Sequence, residues 1–259
     1  MKLDQCRIIL TGASSGIGLE LLQQLQQYDV RIMAVARNVT GIKGDEQKII
    51  PFSCDVSRPE NMDQLFAEAV RIMGGVDLFI ANAGFAYYEK LDQPDWEHIE
   101  RIYRTNVISP LYSLEKLREL HPDGKYKMVI TASAMSKLSL PGYALYSSTK
   151  AALDAFADAY HFEVDRPEQL TLVYPIATAT NFFKNAADNT PVPWPTQSSA
   201  QVARAIIRGI EKDHPAIYPS RLFKTMMHLN RFLPLIYPLY LLPQQRKFKS
   251  FLIKTGQKQ

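Results

Sequence analysis

The chain predicts a single α/β domain, a doubly wound parallel sheet of about seven strands with helices on both faces. Three observations carry that expectation. Short apolar runs alternate with longer stretches of helical period along most of the 259 residues. Several runs are continuously apolar, as parallel strands covered on both faces are. A glycine-rich turn follows the first run and leads straight into a helix. The 46% apolar and 22% charged composition is that of a globular chain long enough to bury a large core, and it excludes a disordered or collagen-like protein.

In order along the chain, the strands are read at 8–10, 31–36, 48–53, 77–81, 127–131, 170–174 and 216–218. The helices between them are read at 17–27, 59–73, 94–120, 143–163 and 198–212, with Pro59 and Pro94 as start signals in the first turn. Right-handed crossovers then restrict the topology strongly. No repeat or linker interrupts the pattern, so residues 1–218 are expected to form one catalytic domain and 219–259 an appendage.

Charge is unevenly placed. Residues 214–259 hold eight Lys and Arg and no acid, which leaves residues 1–213 at −4 within the overall +4. A nucleic-acid partner is not expected, because the basic residues lie apart from any recognition motif. Cys6 and Cys54 are too few for a disulfide framework, and neither they nor the five His show metal-ligand spacing, so no metal is expected. The N-terminal segment lacks a signal-peptide core and no stretch is apolar enough to span a bilayer, which leads to a cytoplasmic expectation.

Thr11-Gly12-Ala13-Ser14-Ser15-Gly16-Ile17-Gly18 lies where the first strand meets the first helix. Glycine permits close backbone approach and positive φ, and the helix N-terminus presents free N–H groups, which together suit a pyrophosphate. Gly12, Ser14, Ser15, Gly16, Ile17 and Gly18 are therefore candidate dinucleotide contacts.

With this Thr-Gly-x3-Gly-x-Gly turn the sequence resembles the short-chain dehydrogenase/reductase family over residues 7 to about 218, which implies a Rossmann-like fold. Asp55-Val56 resembles the family's adenine-binding pair, and Asn82-Ala83-Gly84 most of its Asn-Asn-Ala-Gly. The second strand ends Ala36-Arg37, with no acid to take the ribose hydroxyls, and an arginine there matches a 2′-phosphate. NADP(H) is accordingly the expected cofactor.

Tyr146 and Lys150 lie four apart on one helical face, which lets a cation act on a phenol that otherwise titrates near 10. Tyr112 and Lys116 share that spacing, but Tyr146 follows a strand that ends in the hydroxyl of Ser133, and the resemblance implies a serine about 13 residues before the tyrosine, where Ser133 stands and Ile99 stands for Tyr112. Tyr143 has Ser147 four residues on and is excluded. The resemblance implies Tyr146 as general acid/base, Lys150 as the group lowering its pKa and holding the nicotinamide ribose, Ser133 as the partner of the substrate oxygen, and Asn106 as support for a proton-relay water. It also implies a homodimer or homotetramer. One departure stands out: where the family has Pro-Gly, the chain has Pro175-Ile176, with Thr178 and Thr180 left to reach the carboxamide and phosphates.

The segment 176–197, with Phe182, Phe183 and Trp194, reads as an apolar lid suited to a lipophilic ketone or aldehyde. The proline-interrupted run 232–243 is too short to span a bilayer and too prolyl for one long helix. Its flanking Arg231 and Arg246-Lys247 suit an anionic membrane interface, against the alternatives of a subunit contact or a pocket wall. The expected function is a hydroxyl–carbonyl oxidoreductase acting on a small molecule, the rival being a non-catalytic nucleotide-binding scaffold, with peripheral membrane contact through 220–259 a further expectation.

Overall fold

All seven expected strands form and pair in parallel in a computed structural model, which describes residues 1–45, 47–233 and 236–255. They are β1 (Arg7–Thr11), β2 (Arg31–Ala36), β3 (Ile49–Ser53), β4 (Leu78–Ala81), β5 (Lys127–Thr131), β6 (Leu170–Val173) and, last in the chain, β9 (Ala216–Ile217). Their order across the sheet is β3-β2-β1-β4-β5-β6-β9, with Ile8 of β1 opposite Ile32 on one side and Leu78 on the other. The direction of winding reverses between β1 and β4. A crevice therefore opens above the carboxyl ends of these two strands, where such sheets hold their ligands.

The continuously apolar strands follow from their burial on both faces. One face packs α1 (Gly16–Leu25) and α6 (Ser199–Glu211) through Leu21, Leu25, Val202 and Ile206. The other packs α2 (Pro59–Met73), α4 (Ser109–Leu120) and α5 (Ala144–Glu163) through Leu65, Leu114, Leu117 and Leu153. Pro59 starts α2 as expected, and Gly74, at φ +81°, ends it in a left-handed cap. The expected 94–120 helix starts later: Asp95 caps α3 (Trp96–Tyr103) by accepting from the His98 N–H at 3.0 Å, which leaves Pro94 outside. A π-helical turn, Arg104–Ile108, then joins α3 to α4.

The tail departs from its reading. It forms α7 (Arg221–Phe232), capped by Ser220, and α8 (Ile236–Thr255), a 20-residue helix that runs through Pro238 and Pro243. The run 232–243 is divided between the two helices, but the expectation that it is too prolyl to belong to a long one is corrected from Ile236 on. Pro238 falls in the first turn, where no intrahelical N–H bond is lost. Pro243 does interrupt the ladder, but Tyr240, Phe248, Phe251 and Leu252 pack α8 onto Tyr88, Tyr143 and Phe183 of the body. Gly142, at φ +84°, permits that approach, since a Cβ there would lie 2.4 Å from the Tyr88 ring and 2.9 Å from Phe248. Pro234 and Leu235 of the apolar run lie outside the described residues. Among the described residues, no helix is long and apolar enough to cross a membrane.

Candidate active site

The glycine turn is built as a cradle. Gly12 and Gly16 have φ of +69° and +55°, and a Cβ on Gly18 would lie 2.0 Å from the Gly12 carbonyl oxygen. Ser15 occupies the N-cap of α1 without a side-chain cap bond, so the first N–H groups of the helix face the crevice. Thr11 fastens the turn to the neighbouring strand: its Oγ1 accepts from the N–H groups of Asn82 and Ala83, each at 3.1 Å. Asn82 returns a bond from Nδ2 to the Thr11 carbonyl at 3.3 Å, and Gly84 lies against Asn106 and Lys150. These residues fit a dinucleotide, because side chains would occupy the space that the bare backbone leaves open.

Beyond the turn, Arg37 lines a second hollow with Ser53, Cys54 and Asp55. Arg37 is exposed and, among the described residues, in no ion pair. Asp55 accepts from the Ser57 N–H at 3.0 Å and its hydroxyl at 2.7 Å. Burial pushes the Asp55 carboxyl up, but these bonds and the charges of Arg37 and Arg58 outweigh it and hold the group below its ordinary value. Val56, beside it, is buried.

At the end of β5, Ser133 caps a single 3-10 turn, its Oγ accepting from the Met135 N–H at 3.1 Å. Tyr146, in the first turn of α5, is 7% exposed and hydrogen-bonded to Ser133. Lys150, one turn on and 4% exposed, donates to the Thr131 carbonyl at 2.8 Å, with Nζ 5.7 Å from the Tyr146 ring centre. Asn106 sits within the π-turn and is fully used: its amide donates to the Phe85 carbonyl at 2.9 Å and Thr149 Oγ1 at 3.1 Å, and its carbonyl accepts from the Phe85 N–H at 3.1 Å. A π-turn widens a helix and often marks such positions. Tyr112 and Lys116, the rival pair, instead bond Asp63 of α2, at 2.6 and 3.0 Å, and do not line the cavity that Tyr146 does.

Ser133, Tyr146 and Lys150 share one cavity of about 260 Å³ with the glycine turn, Asn82-Ala83-Gly84, Pro175, Thr178 and Thr180. Ile176 lines it too, without positive φ, so this backbone does not call for the glycine that the family pattern carries there. The segment 176–197 is pinched at its base by β7 (Ala177–Thr178) and β8 (Thr196–Gln197), which pair in parallel. Phe182 stands edge-on to Tyr146 at 5.4 Å between ring centres, and Phe183 is buried beside Tyr143. The tail adds Leu222, Phe223, Met226 and Tyr240 to the wall, beside Met135, Leu138 and Leu140 of the body.

A family model described as short chain dehydrogenase matches residues 7–191. The chain belongs to that family. A fatty acyl-CoA reductase of Mycobacterium tuberculosis is 32% identical over 203 residues, 71% of this chain and 68% of that one. An NADPH-dependent 1-acyldihydroxyacetone phosphate reductase of Saccharomyces cerevisiae is 27% identical over 272 residues, 93% and 90% of the two chains. A short chain dehydrogenase/reductase of Burkholderia phymatum in complex with NAD superposes with a TM-score of 0.78 at 17% identity, over 90% of this chain and 96% of that one.

In this dehydrogenase fold the two central groups shift in opposite directions from one cause. Burial pushes the Tyr146 phenol up to about 12, opposed by the bond from Ser133, and burial brings the Lys150 ammonium down to about 7. In the fold by itself the group opposing the rise at Tyr146 is therefore Ser133 rather than Lys150. Sequence reasoning offered a pocket wall as one alternative for the run 232–243, which holds Tyr240, but did not mark Leu222, Phe223 or Met226. The signal was present as Leu222, Met226 and Leu229 at helical spacing behind Ser220, a cap followed by an apolar stripe.

Proposed function

We propose that the protein is an NADP(H)-dependent reductase of a lipophilic ketone or aldehyde. The convergence of Ser133, Tyr146 and Lys150 on a cavity whose lid and tail walls are largely apolar carries this reading. The dinucleotide, when bound, supplies the hydride. The glycine turn and Asn82 to Gly84 hold its phosphates and ring, and Arg37 contacts a 2′-phosphate. Ser133 donates a hydrogen bond to the substrate oxygen, and Tyr146 gives that oxygen its proton as charge develops there. A phenol held near 12 is protonated at neutral pH, which fits the acid required for reduction. Lys150 lies beneath Tyr146 to hold the ribose and, when charged, to draw the phenol down. Asn106 braces the π-turn on which a relay water would rest.

The names of the Mycobacterium and Saccharomyces relatives support an acyl or acyl-derived substrate and, for the second, NADPH. The scaffold alternative has little to support it while the three reacting side chains converge. The reading is tested by following NADPH oxidation with a series of aldehydes and methyl ketones of increasing chain length. Turnover that rises with chain length, and that Tyr146→Phe lowers by about 10²-fold or more with NADPH still bound, is the expected result. Undiminished turnover in Tyr146→Phe would remove the mechanism.

A further inference from the structure

The outer sides of α7 and α8 beside the cavity are apolar and cationic, and these two helices carry no acid. On α7, Leu222, Leu229 and Phe232 are exposed, Phe232 at 79%, and helical spacing puts them on one stripe. Arg221, Lys224 and His228 run along its edge. On α8, Leu239 (66% exposed), Leu242, Arg246, Lys249 and Ile253 are all exposed and share a second outward stripe. Opposite that stripe, Gln244, Phe251 and Leu252 face the body. The lid adds Trp194, 71% exposed, whose carbonyl accepts from the Tyr240 hydroxyl at 3.0 Å.

This surface is continuous with the cavity. Leu222 is both half exposed and part of its lining, and Trp194 lies between Pro193 and Pro195, which also line it. Among the described residues, none of Arg221, Lys224, Arg246, Lys247, Lys249 and Lys254 has an ion-pair partner, so their charges are not neutralised within the chain.

We propose that α7, α8 and Trp194 dock on an anionic lipid bilayer with the cavity mouth turned toward it, so that the lipophilic substrate enters from the membrane. The proposal deepens the reductase reading and rests on it for the identity of the cavity. A helix pair with exposed leucines and phenylalanine beside unpaired cations lies in an interface rather than across it, and a tryptophan at the rim suits the headgroup level. Charge argues against a second copy of the chain as the occupant. A two-fold contact centred here would set one acid-free cationic face against another.

The test uses the full chain with vesicles of phosphatidylcholine alone or with about 30 mol % phosphatidylglycerol. Flotation with the anionic vesicles only, reversed by about 0.5 M salt, is expected. In Trp96→Phe protein, which leaves Trp194 as the sole tryptophan, the emission should shift to the blue on binding. Reversing four charges together, Arg221→Glu, Lys224→Glu, Lys247→Glu and Lys249→Glu, should weaken partitioning by about 100-fold or more, since each cation near the surface counts for roughly fivefold. The paired change Leu229→Gln with Phe232→Gln should weaken it too. Reduction of a short water-soluble aldehyde should be unchanged in both variants, and this arm reads the reductase independently of the membrane.

No flotation of the wild type, equal binding to neutral vesicles, or unaltered binding by the charge variant overturns the proposal. So does light scattering that shows Leu229→Gln with Phe232→Gln splitting an oligomer while vesicle binding persists, which would assign the face to a second copy. If vesicle binding holds but no aldehyde or ketone is reduced, the docking surface stands and the reductase reading fails.

Discussion

Replacing Lys150 by Met should make the nucleotide-free protein more stable at pH 7 and bring that advantage steadily down as the pH rises. Lys150 is buried, and its ammonium is held near 7 against an ordinary 10.5. Between these values the unfolded chain binds a proton that the folded one does not, so the wild type gains stability as pH increases through the window. Below pH 7 the full penalty applies, about 5 kcal/mol from the shift. Met fills similar volume without charge, but the bond to the Thr131 carbonyl is lost at about 1 kcal/mol, leaving a net advantage of about 3 kcal/mol near neutrality. Between pH 7 and 9 that advantage should shrink by about 2 kcal/mol, and by pH 10.5 it should be gone. Urea unfolding of both proteins at pH 6, 7, 8 and 9 without nucleotide measures this, because titrations common to the two cancel in the difference. A gap independent of pH, or a variant less stable throughout, would refute the claim that Lys150 is held largely uncharged by burial. The variant should have lost turnover in every case, an instance of stability given up for a working site.

Arg37→Asp should weaken NADP(H) binding by about 10-fold to 100-fold while leaving NAD(H) binding equal or tighter, as read by nucleotide fluorescence titration. Gly18→Ala should abolish binding of either nucleotide, because its Cβ would fall 2.0 Å from the Gly12 oxygen and push the turn open. Lys137→Met should destabilise by about 3 kcal/mol in thermal melts, since it strands the buried Asp154 carboxylate that Lys137 and the Tyr174 hydroxyl now share. Tyr143→Phe should melt no lower than wild type and keep its turnover, because the buried Tyr143 hydroxyl has no hydrogen-bond partner among the described residues.

Strands such as Ile8-Ile9-Leu10 and the glycine turn were legible because both faces of a parallel strand are buried and only glycine fits so close an approach. The Ser133, Tyr146 and Lys150 set was legible through spacing joined to its place after a strand and to the family resemblance, since Tyr112 and Lys116 share the spacing, and the structure brings the three into one cavity. Asn106 was marked by its resemblance, but the π-turn around it has no residue signature: Arg104-Thr105-Asn106-Val107-Ile108 reads as ordinary helix. Pro94 was taken as a helix start when Asp95 is the cap, since both residues are start signals and only side-chain geometry separates them. The lid's two-residue strands leave no period to detect. The tail was misread because two prolines outweigh periodicity in a local reading, whereas packing against Tyr88 and Phe183, far away in sequence, decides the helix.

That packing changes what the +8 of residues 214–259 means. A basic appendage with its own purpose would be separable from the reductase body, but α8 places Phe251 and Leu252 in the aromatic cluster that also holds Tyr143 and Tyr146. On its outer side the same helix carries Leu239, Arg246 and Lys249. The same helix thus joins the cluster around Tyr146 on its inner side and carries the exposed cationic stripe on its outer one, while its Tyr240 donates to the Trp194 carbonyl of the segment 176–197. The unequal charge thus belongs to a wall with an inner apolar face toward the cavity and an outer cationic one.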